Sequence, residues 1–291
     1  MSNIVLMAET GADIPPALAQ QYGICLVPMH VTMGDKTLDD ASFPSDEICS
    51  YYDRTGCLPK TSGCSPEDFA RAFQKIHQQY PDRHILHLAY SAVTTVSYQS
   101  ALIAAEGLDY VTSIDTKHVS AGQAAIVLQM ARMLERDPNL TVDQAVDAAQ
   151  QLIKRTRMCF LPKDLEYLRA GGRVSNVVAL GGRILNLHPC IEIIDGYLLA
   201  KKKYRGSLEK VVPALIREYS QREKLEKDRV TLIWSVGLPD HVRKLAEQEV
   251  ERCGFRGFTW CQTGCVITTH GGPGCFGIVG FAEDPAETAP L

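Results

Sequence analysis

The chain has 291 residues, 45% of them hydrophobic and 22% charged, with a formal net charge of -4 at neutral pH. This length suggests two domains, each able to bury a core, and the slight acidity argues against nucleic acid or an anionic bilayer as a bulk partner. No run approaches the roughly 20 apolar residues of a membrane span. The opening MSNIVLMAETGAD lacks the basic-then-apolar order of a secretory signal, so a cytoplasmic protein is expected.

Taken in order, NIVLMAE reads as a buried strand, PALAQQYG as a helix closed by Gly23, and ICLVPMHVTM as a further strand. Ser65 offers an N-cap with Pro66 at the first helical position, opening PEDFARAFQKIHQQY. HILHLAYS is read as strand, SYQSALIAAEGL as helix, YVTSIDT as strand and AGQAAIVLQMARMLER as helix; Thr141 caps TVDQAVDAAQQLIKRT. Strands alternating with helices predict an N-terminal three-layer α/β/α domain over residues 1–157, with a mainly parallel sheet.

The pattern changes beyond that point. Gly-Gly-Arg occurs at 171–173 and again at 181–183, around a short helical stretch. IEIIDGYLLAKKKYRG reads as two strands turning at Asp195-Gly196, a hairpin signal. LEKVVPALIREYSQREKL is a helix, VTLIWSVG a strand and HVRKLAEQEVERCG a helix. Late strands are placed around FTWCQTGCVITTH and at GIVGFAEDP. Residues 158–291 are therefore expected to form an α+β domain with a mainly antiparallel sheet.

Ten cysteines fall at irregular spacing without a C-x-x-C pair, several in apolar runs where cysteine acts as a small hydrophobe. Reduced thiols are expected. Gly272-Pro-Gly274-Cys-Phe-Gly277 fits G-x-G-x-x-G, but a strand follows it and only 14 residues remain. A dinucleotide fingerprint needs the opposite order and an acidic residue about 20 positions on. Walker A, H-E-x-x-H and G-x-S-x-G motifs are absent, so no cofactor, metal or catalytic residue is assigned.

Four hydroxyl-rich or basic turns remain: Lys60-Thr61-Ser62-Gly63-Cys64-Ser65-Pro66, Ser91 to Tyr98, Gly171-Gly172-Arg173-Val174-Ser175, and Thr268 to Gly274. Hydroxyls at the carboxyl ends of strands, beside helix-opening N–H groups, suit an anion. An arginine and a histidine on glycine turns would add positive or donor groups. Each turn also has a plain structural reading: Thr61 and Thr95 as helix caps, Gly-Gly-Arg as a helix stop, His270 as a structural histidine.

In this order the segments KTSGCSP, SAVTTVSYQSA, LEYLRAGGRVS, LNLHPCIEIIDG and THGGPG resemble the DegV family of bacterial fatty-acid-binding proteins over nearly the whole chain. The resemblance implies a long-chain fatty acid whose carboxylate is held at the domain interface by Thr61 and Thr95, with Ser62 and Ser97 beside them and Arg173 and His270 opposite. It further implies an acyl tunnel in the second domain, lined by stretches such as VVALGGRILNL and IEIIDGYLL, and a carrier rather than an enzyme. Such a carrier contacts a membrane surface transiently and presents its acid to a separate ATP-dependent fatty acid kinase, which makes an acyl phosphate for phospholipid metabolism. The chain departs from the family in two places. Thr95-Val96-Ser97 replaces Ser-Gly-Thr, and valine does not readily take positive φ, so a differently shaped turn is expected. Ala8-Glu9-Thr10-Gly11 replaces Thr-Asp-Ser-Thr. The alternatives are a hydrolase or acyltransferase using a threonine or serine with His270, and a binding protein for another small anion.

Overall fold

The computed structural model describes residues 2–163, 165–172 and 187–284. The first half runs β1 (Ile4–Glu9), a 3-10 turn, α1 (Pro16–Tyr22), β2 (Cys25–Val27), β3 (His30–Met33), β4 (Lys36–Asp39), α2 (Asp46–Thr55), β5 (Lys60–Ser62) and α3 (Pro66–Gln79). It continues through β6 (His84–Ala89), α4 (Ser97–Ala104), β7 (Val111–Asp115), α5 (Ser120–Arg136) and α6 (Val142–Arg155). The second half follows with β8 (Thr156–Leu161), α7 (Glu166–Gly171), β9 (Leu187–Ile194), β10 (Tyr197–Arg205), α8 (Leu208–Arg222) and β11 (Val230–Trp234). It closes with α9 (Asp240–Arg252), β12 (Phe258–Gln262), α10 (Cys265–Gly271) and β13 (Phe276–Phe281).

The first half is built on a parallel sheet ordered β2-β1-β6-β7. Side chains alternate across a strand, and here both faces are covered. Val5, Met7 and Ile85 pack with Phe69, Phe73 and Ile76 of α3. Ile4, Leu6, Ala8, Leu86 and Leu88 pack with α5 and α6 through Ile126, Met130, Ala145 and Leu152. The expected three layers are present. Ser65 accepts from Asp68 N and Asp68 from Ser65 N, the capping box that starts α3.

The segment ICLVPMHVTM is two strands, not one. Pro28 cannot donate to a ladder, and the chain leaves the parallel sheet there. β3 then pairs antiparallel with β4 and β5 in a separate three-stranded sheet. Thr61 lies in β5, so it is a strand residue rather than a cap.

The second half is a six-stranded sheet ordered β10-β9-β8-β13-β11-β12, antiparallel except for the β11–β12 pair. Asp195 and Gly196 turn the β9–β10 hairpin with φ of 48° and 86°, the positive pair that such a two-residue turn needs. One face, including Cys159, Leu161, Leu232 and Ile278, packs under α8 and α9. The opposite face, including Met158, Phe160, Ile191, Ile233 and Val279, joins the cluster that contains Met7 and Phe69. One core thus runs across the seam between the halves. CVITTH, expected as strand, forms α10. The helical stretch between the two Gly-Gly-Arg turns falls outside the described residues. All ten cysteines are free thiols.

Burial pushes the His118 imidazole down to about 3, with the charge of Arg157 adding to the effect. An unfolded histidine takes up a proton near pH 6.5, whereas the folded ring resists until about 3. Stability from this residue is therefore full above pH 6.5 and lost as pH falls toward 3. Melting curves between pH 7 and 5 are expected to fall less steeply for His118→Gln than for the parent protein.

Candidate functional site

A cavity lies on the seam, lined by residues of both halves. Its walls are mostly apolar. The first half contributes Met29, Tyr90 and Val119; the second contributes Met158, Phe160, Leu168, Leu198, Ile233, Val266 and Cys275. The apolar wall therefore comes from both halves, not from the second alone. Leu198 of the IEIIDGYLL stretch lines it, whereas most of VVALGGRILNL falls outside the described residues.

Polar groups collect on part of this wall. Thr61, Ser62, Gly63, Thr94, Thr95 and His270 all line the cavity. Thr61 Oγ1 and His270 Nε2 share a hydrogen bond of 2.7 Å across 209 positions of sequence. Ser97 sits just behind this wall, fully buried. Its Oγ accepts from Cys64 N at 3.1 Å and lies 3.2 Å from Thr95 Oγ1. Ser97 N in turn donates to Thr95 Oγ1 at 3.4 Å. Ser97 thus ties the β5–α3 turn to the β6–α4 turn.

Gly63 makes that junction possible. A Cβ there would stand 2.3 Å from Thr95 Oγ1 and 2.5 Å from Ser97 Oγ, well inside contact distance. Gly171 plays the same part on the other side: a Cβ there would stand 2.3 Å from His270 Nδ1. The first Gly-Gly turn therefore packs directly on the imidazole, and α7 packs on α10. Arg173, two positions on, lies outside the described residues.

The departures from the family pattern have modest local consequences. Val96 has φ -80° and ψ -4°, ordinary right-handed backbone, so no left-handed residue is required where glycine was replaced. Its side chain is 68% exposed and points away from the core. Glu9, Thr10 and Gly11 lie behind the cavity wall. Thr10 Oγ1 accepts from Met29 N at 3.0 Å, and a Cβ on Gly11 would meet Met29 Sδ at 2.7 Å and the Tyr90 ring at 3.2 Å. This segment seats two wall residues rather than the polar cluster.

Ser120, Ser235 and Thr263 also line the cavity and were not expected from sequence. Each is engaged inside the protein: Ser120 donates to Asp13, Ser235 to Gly272 O at 2.7 Å, and Thr263 bonds Thr268 at 2.8 Å. They are structural ties that happen to face the cavity. The Gly272 to Gly277 segment follows a helix and runs into β13, the reverse of a dinucleotide loop. Among the described residues no helix is long and apolar enough to cross a membrane.

Residues 3–283 match a family model described as "Uncharacterised protein, DegV family". The chain is 28% identical to a fatty acid-binding protein of Thermotoga maritima, covering 98% of each sequence. It is 26% identical to a DegV domain-containing protein of Caldanaerobacter subterraneus, over 96% of this chain and 98% of the relative. Among solved structures, a fatty-acid-binding DegV family protein from Thermus thermophilus superposes with a TM-score of 0.86 at 26% identity, over 96% of this chain and 99% of that one. A DegV lipid-binding protein from Thermotoga maritima gives 0.82 at 26% identity, over 97% and 99%.

Proposed function

The chain belongs to the DegV family, and from that premise we propose that it binds a long-chain fatty acid, tail in the seam cavity and carboxylate against Thr61, Thr95 and His270. The observation that carries this reading is the cavity itself: a largely apolar space with hydroxyls and an imidazole gathered on one part of its wall. Ser62 lines the same region, Ser97 holds Thr95 in place, and Arg173 is the proposed cation beside the head group. The tail supplies most of the affinity. About 15 buried methylenes at ~0.8 kcal/mol each give a gross gain on the order of 12 kcal/mol. Charge-assisted hydrogen bonds contribute roughly 1.5–3 kcal/mol each, enough to set orientation.

In this reading the protein is a cytoplasmic carrier, not an enzyme. It collects its ligand at a membrane surface and presents the carboxylate to a separate ATP-dependent fatty acid kinase. Val93 and Val96 flank the cavity-lining Thr94 and Thr95 in sequence and are 47% and 68% exposed, apolar surface that would serve brief contact with lipid. Arg173 and His270 would steady charge developing on an acyl phosphate.

Mass spectrometry of the native purified protein tests the reading: a co-purified long-chain acid supports it, and a phosphate-containing ligand defeats it. Thr61→Val is expected to weaken fatty-acid binding by roughly 10- to 100-fold, the loss of one charge-assisted bond, with an unchanged circular dichroism spectrum. Equal affinity would remove Thr61 from the site. The 2.7 Å contact between Thr61 and His270 also favours a second reading, a hydroxyl nucleophile with an imidazole base. Turnover of an activated acyl ester that disappears in His270→Ala would establish it.

A further inference from the structure

α10 carries His270 and, through Val266, Ile267 and Gly271, a section of the cavity wall. It has seven residues, far below the roughly 12–15 that a helix needs to persist alone. Its N-cap is Gly264 and offers no side chain. The N–H groups that open it are nonetheless satisfied, by two carboxylates from the first half of the chain. Gly264 N donates to Asp13 Oδ1 at 2.7 Å. Cys265 N and Val266 N donate to Asp40 Oδ1 at 3.0 and 3.2 Å. These bonds span 251, 225 and 226 positions of sequence.

Both carboxylates are buried, at 8% and 4% exposure. Burial raises each of their pKa values, and the charge of Asp40 raises that of Asp13 further. Among the described residues neither has a salt-bridge partner. The positive end of the α10 dipole faces them instead. Asp13 is itself held by Ser120 Oγ, and both residues have left-handed backbone, at φ 57° and 48°. Two non-glycine residues in that region, bonded to each other, are strain that the surrounding structure has to maintain. The far end of α10 is tied to the first half as well, by His270 to Thr61.

We propose that Asp13 and Asp40 are positioning residues for the head-group site, clamping the start of α10 to the first half so that His270, at its other end, meets Thr61. This deepens the fatty-acid reading and rests on it for the ligand, but the effect on His270 stands apart from any ligand.

The test uses the full chain and two readouts: displacement of a fluorescent fatty acid, cis-parinaric acid, and the His270 imidazole resonance by NMR. Asp40→Ala is expected to weaken probe binding at least tenfold and to shift the His270 resonance toward that of a solvent-exposed ring. Asp40→Asn keeps one carbonyl acceptor and is expected to restore affinity to within about threefold, with a smaller shift. It carries the test if Asp40→Ala does not fold. A His270 resonance unmoved in the variants overturns the proposal. If the parent protein fails to bind the probe, the fatty-acid reading falls, while the resonance still decides whether the carboxylates position His270.

Discussion

Replacing His87 with leucine is expected to remove roughly 3–5 kcal/mol of folding stability, the cost of stranding a buried charge. Glu9 and His87 are both fully buried, with Glu9 Oε1 3.4 Å from His87 Nε2. The other carboxylate oxygen accepts from Gln123 Nε2 at 2.7 Å and from Tyr90 N at 2.9 Å. Burial alone would raise the Glu9 pKa, but the charge of nearby His87, with help from the hydrogen bonds of Gln123 and Tyr90 N, holds it below its ordinary value. The stabilisation is therefore present above the usual carboxylate range and lost as pH falls through the lowered folded value. Glu9→Gln combined with His87→Leu leaves an amide whose unmet hydrogen bond costs about 1–3 kcal/mol, so the double variant is expected to recover about 2 kcal/mol of the single variant's loss. Urea titrations of the parent and the two variants check this. A loss below 1 kcal/mol for His87→Leu would show that Glu9 does not depend on its charge partner.

Glu9 also shows what a sequence can and cannot reveal here. Its departure from the family pattern was visible, but its consequence was not, because the segment works behind the wall through Met29 and Tyr90. Local signals were read correctly where their partners are close in sequence. The Ser65 capping box spans three residues, and the Asp195-Gly196 turn needs only its own backbone. α10 fails that condition. Cys-Val-Ile-Thr-Thr is rich in β-branched residues and reads as strand; what makes it helical are acceptors more than 220 positions away. The cavity wall is hidden for a related reason. Met158 and Phe160 look like any alternating strand residues, and only the packing of one half against the other turns their face into a binding surface. Thr61 and Thr95 were found because they stand on hydroxyl-rich turns, and His270 because it stands beside glycines. Two glycines elsewhere in the four turns exist for contact: Gly63 under Thr95 and Gly171 under His270.

Gly271 offers the sharpest change of ligand preference. It lines the cavity at the end of α10, and its backbone is outside the left-handed region. A Cβ there would meet nothing nearer than Cys275 Sγ at 3.9 Å, an ordinary contact, so a side chain fits without moving the helix. That side chain would extend over Cys275, itself a wall residue, and take space from the ligand. Gly271→Leu is thus expected to displace about four methylenes. At ~0.8 kcal/mol each this is a loss of about 3 kcal/mol, or roughly a hundredfold in affinity, for an acid long enough to fill the cavity. An acid about four carbons shorter should bind nearly as before, so the order of preference inverts while the melting temperature holds. Calorimetric titration with a series of saturated acids reads this directly. An equal loss at every chain length would mean that the substitution disturbed His270 next to it rather than the tail's space, and no loss at any length would place the acyl chain elsewhere.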